Sequence, residues 1–148
     1  MEVGTEENPY TSRITFTMHG NISSPYLPIY GNKCIAVKEG ILDMHGIVRT
    51  PTWTVMNETA LPGATTIKLS EAVDWVAGEE IAIAATSYNG REGEQRTIKS
   101  IDNTIPSNPV ITLDLPLEFK HFAMIQYYGD EFIDMRAEVG LLTRNVKY

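Results

Sequence analysis

The carboxylates and histidines come first, because acid–base catalysis and metal binding both draw on them. The chain carries 19 Asp and Glu, among them Asp43, Asp74, Glu79, Glu80, Asp130, Glu131 and Asp134, and 3 histidines, His19, His45 and His121. Glycoside cleavage needs two carboxylates facing each other across a groove, about 5–9.5 Å apart. Asp43 alternates with Leu42 and Met44. On a strand it therefore faces outward, where a sugar would meet it and where any solvated aspartate also sits. The histidines are scattered and lack the spacing of a helical zinc site. Zinc needs three or four convergent ligands, so no metal and no cofactor is expected. His45, just before Gly46, reads as capping a turn or filling the space beneath it, and His121, in LEFKHF, as a packed ring rather than a base. Solvated turns account for the acids better than catalysis does, and no catalytic residue is assigned.

Other side chains offer binding or modification. Trp75, in VDWVAGEEI, is expected to pack the end of a barrel, with Asp74 holding its turn through backbone amides. Trp53, in PTWT, reads first as a core residue and second as a platform for a sugar ring. Asp43, His45 and Trp53 form the candidate glycan-binding set. The tripeptides Asn21–Ile22–Ser23 and Asn57–Glu58–Thr59 carry the N-glycosylation pattern in polar, turn-like surroundings, whereas Asn103 lacks the third-position hydroxyl. A single cysteine, Cys34, excludes an internal disulfide and a cysteine-based zinc cluster. It alternates out of phase with Ile35 and Val37. That leaves an outer-face thiol, a small hydrophobe under neighbouring coils, or a pairing between chains. Phosphate loops, a Ser-His-Asp order and a Cys-His pair are absent.

Strands must position these groups. A length of 148 residues suits about one domain. With 43% hydrophobic and 21% charged residues, the chain is a folded protein rather than a disordered one. Its net charge of −7 and pI near 4.9 repel a phosphate backbone, so nucleic acid is not a partner. No apolar run approaches the ~20 residues of a spanning helix. No basic-then-apolar leader follows Met1, which reads as the start of an excerpt. Short alternating runs at 13–18, 33–38, 66–69, 80–84, 96–101, 110–113 and 124–128 predict an all-β fold, and even Tyr10–Thr17, the best helical candidate, carries enough β-branched residues to prefer a strand. In Cys34–Gly46, strands cornered by glycine have the rhythm of a parallel β-helix coil. Leu42 and Met44 are expected inside that coil. From about 71 to 121 the runs lengthen into hairpin-like units that predict an inserted small β-barrel. Ala137–Tyr148 returns to the first rhythm without a cap, as if another coil were starting in a longer chain.

Five motifs in order carry a family likeness: GNKCIAVKEGILDMHGIVRTPTWT, EAVDWVAGEEIAIAATSYN, EQRTIKSID, LPLEFKHF and MRAEVGLLTRNV. Together they resemble the fibrocystin family, large extracellular proteins in which eight-glycine (G8) domains precede parallel β-helix repeats. The cell-surface hyaluronidases are more distant kin that share the LDMHG-type coil and the following WT. The resemblance implies the latter part of a G8 domain over about 1–121, running into the start of a β-helix over about 122–148. It also implies a non-catalytic structural or interaction module of a ciliary or cell-surface glycoprotein, secreted or membrane-anchored. The alternative is a fragment that binds or degrades hyaluronan. Expected partners are the neighbouring domains of the parent chain, a cell-surface protein or a glycan, and a second copy forming a weak homodimer through an open end.

Overall fold

A computed structural model describes residues 1–147; Tyr148, the last residue of the expected terminal coil, lies outside the described residues. In chain order the strands are β1 (Glu2–Val3), β2 (Ile14–Thr15), β3 (Asp43–Met44), β4 (Trp53–Val55), β5 (Thr66–Lys68), β6 (Glu80–Ile83), β7 (Glu94–Asp102), β8 (Val110–Leu113), β9 (Ile125–Tyr128), β10 (Glu131–Asp134), β11 (Glu138–Leu141) and β12 (Val146–Lys147). With 35% of the chain in strands against 2% helical, the fold is all-β. The helical share is one 3₁₀ turn at Gly90–Glu92, begun by Asn89, whose side-chain oxygen accepts from the Arg91 amide. The chain divides into two compact units, Val48–Thr143 and Met1–Ile47 with the chain end from Arg144.

The larger unit holds a six-stranded sheet in the order β4-β11-β6-β7-β8-β5, antiparallel throughout. Strand β7 bends it. Glu94–Thr97 pair with β6 and Ile98–Asp102 with β8, with a register break between Ile98 and Ser100. Such a break lets a long strand turn and serve two neighbours. The sheet curls into a half-barrel. Its edge strands meet at one bridge, Met56 opposite Leu69, flanked by Asn57 N donating to Lys68 O (2.8 Å) and Ser70 N to Val55 O (3.0 Å). Alternation selects what goes inside: Ile81 and Ile83 of β6, Ile111 and Leu113 of β8, Val139 and Leu141 of β11 are buried, and Ile67, Leu69, Ile98 and Met56 complete the core. Burying each such side chain is worth about 1.5–3 kcal/mol. Trp75 is 3% exposed and donates from Nε1 to Pro51 O at 2.7 Å, as its expected anchoring role requires. Asp74 differs from expectation: its Oδ1 accepts from the Thr50 amide (2.8 Å), tying two segments together rather than closing its own turn.

The smaller unit pairs its strands in parallel over very short lengths. Glu2 and Val3 lie beside Asp43 and Met44, Ile14 and Thr15 beside Val146 and Lys147, and Tyr10 beside Gly46. Asn145 joins these passes, its Oδ1 accepting from Ile47 N (2.8 Å) and its Nδ2 donating to the carbonyls of Tyr10 and Ser12. A Cβ on Gly46 would stand 2.5 Å from Asn145 Oδ1, so a side chain there would push the Asn145 amide off its bond to Ile47 N.

The pairings are mostly antiparallel, and no parallel β-helix is seen among the described residues. Strand β11, from the segment read as opening a coil, is antiparallel to both β4 and β6. Alternation with a glycine fits either setting, because both need one buried face; the partner strand decides. Residues 33–38 form no strand. Lys33 has φ +54° and no other segment pairs along the run, so Ile35 and Val37 stay exposed. Residues 124–128 give β9, whose hairpin partner β10 the alternation did not reveal.

Candidate functional site

Strand β7 and residues 116–121 after β8 build a polar cluster, which sequence reasoning missed except for His121. Glu94 and Arg96 point inward in phase with Ile98. Glu94 Oε1 is 2.9 Å from His121 Nε2, and the His121 ring, wholly buried, places Nδ1 2.9 Å from Ala84 O. The same carboxylate accepts from the amides of Glu118 (2.9 Å) and Phe119 (2.9 Å) and from Arg96 Nη2. Arg96 Nη1 and Nη2 also donate to the carbonyls of Gln95 and Pro116. Burial pushes the Glu94 carboxyl up, but the two amides, His121 and Arg96 outweigh it and hold the carboxyl below the usual glutamate value. An acid and a base two apart on the apolar side of EQRTIKSID were the available signal. His121 is thus a packed ring, as read, but one carrying a hydrogen bond at each nitrogen.

A second carboxylate is used in the same way. Glu79 Oε2 accepts from the Val76 amide (2.8 Å) and Oε1 from Arg49 Nε (3.0 Å). Among the described residues no group of three His, Cys, Asp or Glu converges on a point.

The candidate glycan set is divided between the units. Asp43 and His45, two apart around β3, pair directly, with Asp43 Oδ1 2.7 Å from His45 Nε2. Both are partly exposed. Leu42 and Met44 instead line a cleft of about 440 Å³ with Cys34, Ile35, Met18 and Lys33. Leu42 and Met44 thus line an open cleft rather than a coil interior, and Leu42, Asp43 and Met44 are all only partly buried. Because a half-exposed contact of this kind is worth at most about 1 kcal/mol even when both groups are charged, Asp43→Ser should move the denaturation midpoint only slightly. A loss of several kcal/mol would show that the pair anchors the unit.

Trp53 corrects the core expectation. Its indole is 59% exposed on the outer face of β4, because in WTV it is Thr54 whose side chain turns inward. Thr54 Oγ1 donates to Glu71 Oε1 at 2.8 Å, so the inward position beside Trp53 is filled by a small polar group. Asn21 and Asn57 are both exposed. Asn21 Oδ1 accepts from the Ser23 amide (2.9 Å), and Asn57 Nδ2 donates to Asn108 Oδ1 (3.1 Å). The β9–β10 hairpin leaves Tyr127 and Phe132 exposed, with ring centroids 6.2 Å apart.

Comparison with known proteins places this arrangement. The family described as G8 domain matches residues 1–57. Fibrocystin-L of Mus musculus is 40% identical over 149 residues, covering 99% of this chain and 3% of the relative. Fibrocystin-L of Homo sapiens is 40% identical over 147 residues, and fibrocystin of Mus musculus 31% identical over 147 residues, with 99% of this chain covered in each case. The chain thus spans about 3–4% of the length of these relatives. Residues 1–57 are thus similar to the G8 domain, and nearly the whole chain is similar to one short segment of fibrocystin-L and of fibrocystin.

Proposed function

We propose that the chain is a non-catalytic extracellular module of a large fibrocystin-like glycoprotein, secreted or membrane-anchored, offering a rigid β surface to neighbouring domains, a cell-surface protein or a glycan. One observation carries this reading: the buried carboxylates Glu94 and Glu79 and the buried His121 ring bond to backbone groups and neighbouring side chains that hold strands and turns together. Chain-long similarity to fibrocystin-L supports the setting. The parallel pairings of β1 with β3 and β2 with β12 support the finer reading that a parallel β-helix adjoins the module in its parent. Under this proposal the exposed Asn57 and Asn21 carry N-linked glycans.

The test is expression through a eukaryotic secretory pathway. The secreted chain should lose one glycan with Asn57→Gln and another with Asn21→Gln. Incubated with hyaluronan, it should leave the polymer's length unchanged. Shortening that Asp43→Asn abolishes would replace the module reading with an enzymatic one.

A further inference from the structure

The outer face of the six-stranded sheet carries a trough of about 480 Å³ with Trp53 at one side. Its register is unusually simple. Trp53 lies opposite Gly140, Gly140 opposite Ala82, and Ala82 opposite Gln95, one row across β4, β11, β6 and β7. Four strands at about 4.8 Å spacing make that row about 14 Å long. On the same face stand the exposed Glu138 and Ala84, whose backbones pair through Ala84 N donating to Glu138 O at 2.8 Å. The floor is therefore hydrogen and methyl, one wall is an indole, and the polar groups are an amide and a carboxylate.

Gly140 carries the argument furthest. It is not among the residues with positive φ, and a Cβ built on it meets no atom within 4 Å. Neither backbone conformation nor packing requires glycine there, and glycine in a strand interior costs stability. A strand glycine often marks a bulge, a bend or a place where something else approaches closely, and β11 pairs in unbroken register with both neighbours at Gly140, which speaks against a bulge. Here the missing side chain keeps the floor flat directly beside the exposed face of Trp53.

We propose that this trough binds a neutral, β-linked saccharide, one pyranose ring stacked on Trp53 over Gly140 and its hydroxyls bonded to Glu138 and Gln95. This rests on the glycan named in the module reading and deepens it by giving the site and the class of sugar, and it does not depend on where the protein resides. The trough is open and mostly apolar, with a few placed polar groups, so it suits a ligand that lies flat along the sheet rather than one enclosed in a pocket. A sugar ring matches both chemistries, offering C–H groups to the indole and floor and O–H donors to the carboxylate. An added peptide strand is excluded by geometry, because the trough lies on the face of paired strands and has no open backbone edge. A proline-rich peptide calls for a groove lined by several aromatics, whereas Trp53 is the one aromatic lining this trough. An acidic glycan meets Glu138 and Glu80 on the same face and a net charge of −7.

The experiment is an amide NMR titration of the 148-residue chain with cellohexaose and with chitohexaose. A hyaluronan hexasaccharide and a proline-rich decapeptide serve as counter-probes. The Trp53 indole N–H and the amides of Gly140, Ala82 and Gln95 should shift saturably with at least one neutral hexasaccharide. Trp53→Ala and Gly140→Val should each weaken that binding by about tenfold or more, equivalent to 1.4 kcal/mol or more. Gly140→Val fills the trough while leaving the melting temperature unchanged or higher, since a β-branched residue suits a strand. Absence of shifts with both neutral probes, binding indifferent to both variants, or tighter binding of the acidic probe or the peptide would overturn the proposal. The module reading would stand in each case, because it is tested by secretion and by hyaluronan length.

Discussion

Glu94→Ala should cost the protein about 3–5 kcal/mol of unfolding free energy, as removal of one partner of a buried ion pair does. The loss is large because one carboxylate serves four groups: the amides of Glu118 and Phe119, His121 Nε2 and Arg96 Nη2. Without it the Arg96 guanidinium, whose Nε is already buried with no partner, keeps only two carbonyls, and the two amides lose their acceptor. Glu94→Gln retains an acceptor oxygen and should lose distinctly less. Urea denaturation of the three proteins measures the order directly. Equal stability of wild type and Glu94→Ala would show that the cluster contributes nothing net.

Acid should act through the same residue. The folded carboxyl titrates below its unfolded counterpart, so Glu94 contributes stability that is complete above the unfolded value of about 4.3. That contribution disappears as the pH falls through the lower folded value. Glu94→Gln should therefore flatten the acid limb of the stability curve relative to wild type. Asp102, Asp114 and Asp134 are also held low, by hydrogen bonds to Thr104, to the Thr97 amide and to Arg136 respectively. These carboxylates are exposed, where solvent screens the effect, so most of the limb should follow Glu94.

The sequence made the β class legible because strand alternation is local: IAI, VITL and EVGL each declare which side is buried. Pairing is not local. Strand β11 comes from the segment nearest the chain end yet sits between β4 and β6, and no period-two pattern encodes which edge a strand will join. The functional surface divides along the same line. Trp75 and His121 were readable as buried from their apolar surroundings, while Glu94 and Arg96 look like ordinary surface charges until the phase of Ile98 is followed backwards. Trp53 misled because aromatic bulk argues for burial, and only the inward turn of Thr54 puts the indole outside. The row linking Trp53, Gly140, Ala82 and Gln95 joins four strands distant in sequence and exists only in register.

A chain ending at residue 136 should fail to fold its larger unit. The shortened chain loses β11, and with it the pairings of Glu138–Gly140 to β4 and Val139–Leu141 to β6. It also loses the side chains of Val139 and Leu141 from the core, about 1.5–3 kcal/mol each. Ala137 leaves too, with the hydrogen bonds its backbone makes to Met56 and Phe122. Strands β4 and β6 are then left with unpaired edges and no common neighbour, so the sheet opens where the core is deepest. Against a total stability of about 5–15 kcal/mol for a domain, these losses leave little or nothing. The expected result is collapsed amide dispersion and no cooperative transition in urea. If 122–148 were instead the first coil of a separate β-helix, the shortened chain would keep a folded barrel through His121 and melt cooperatively. The same experiment thus decides whether the residues after His121 belong to the sheet's own structure or to the next domain.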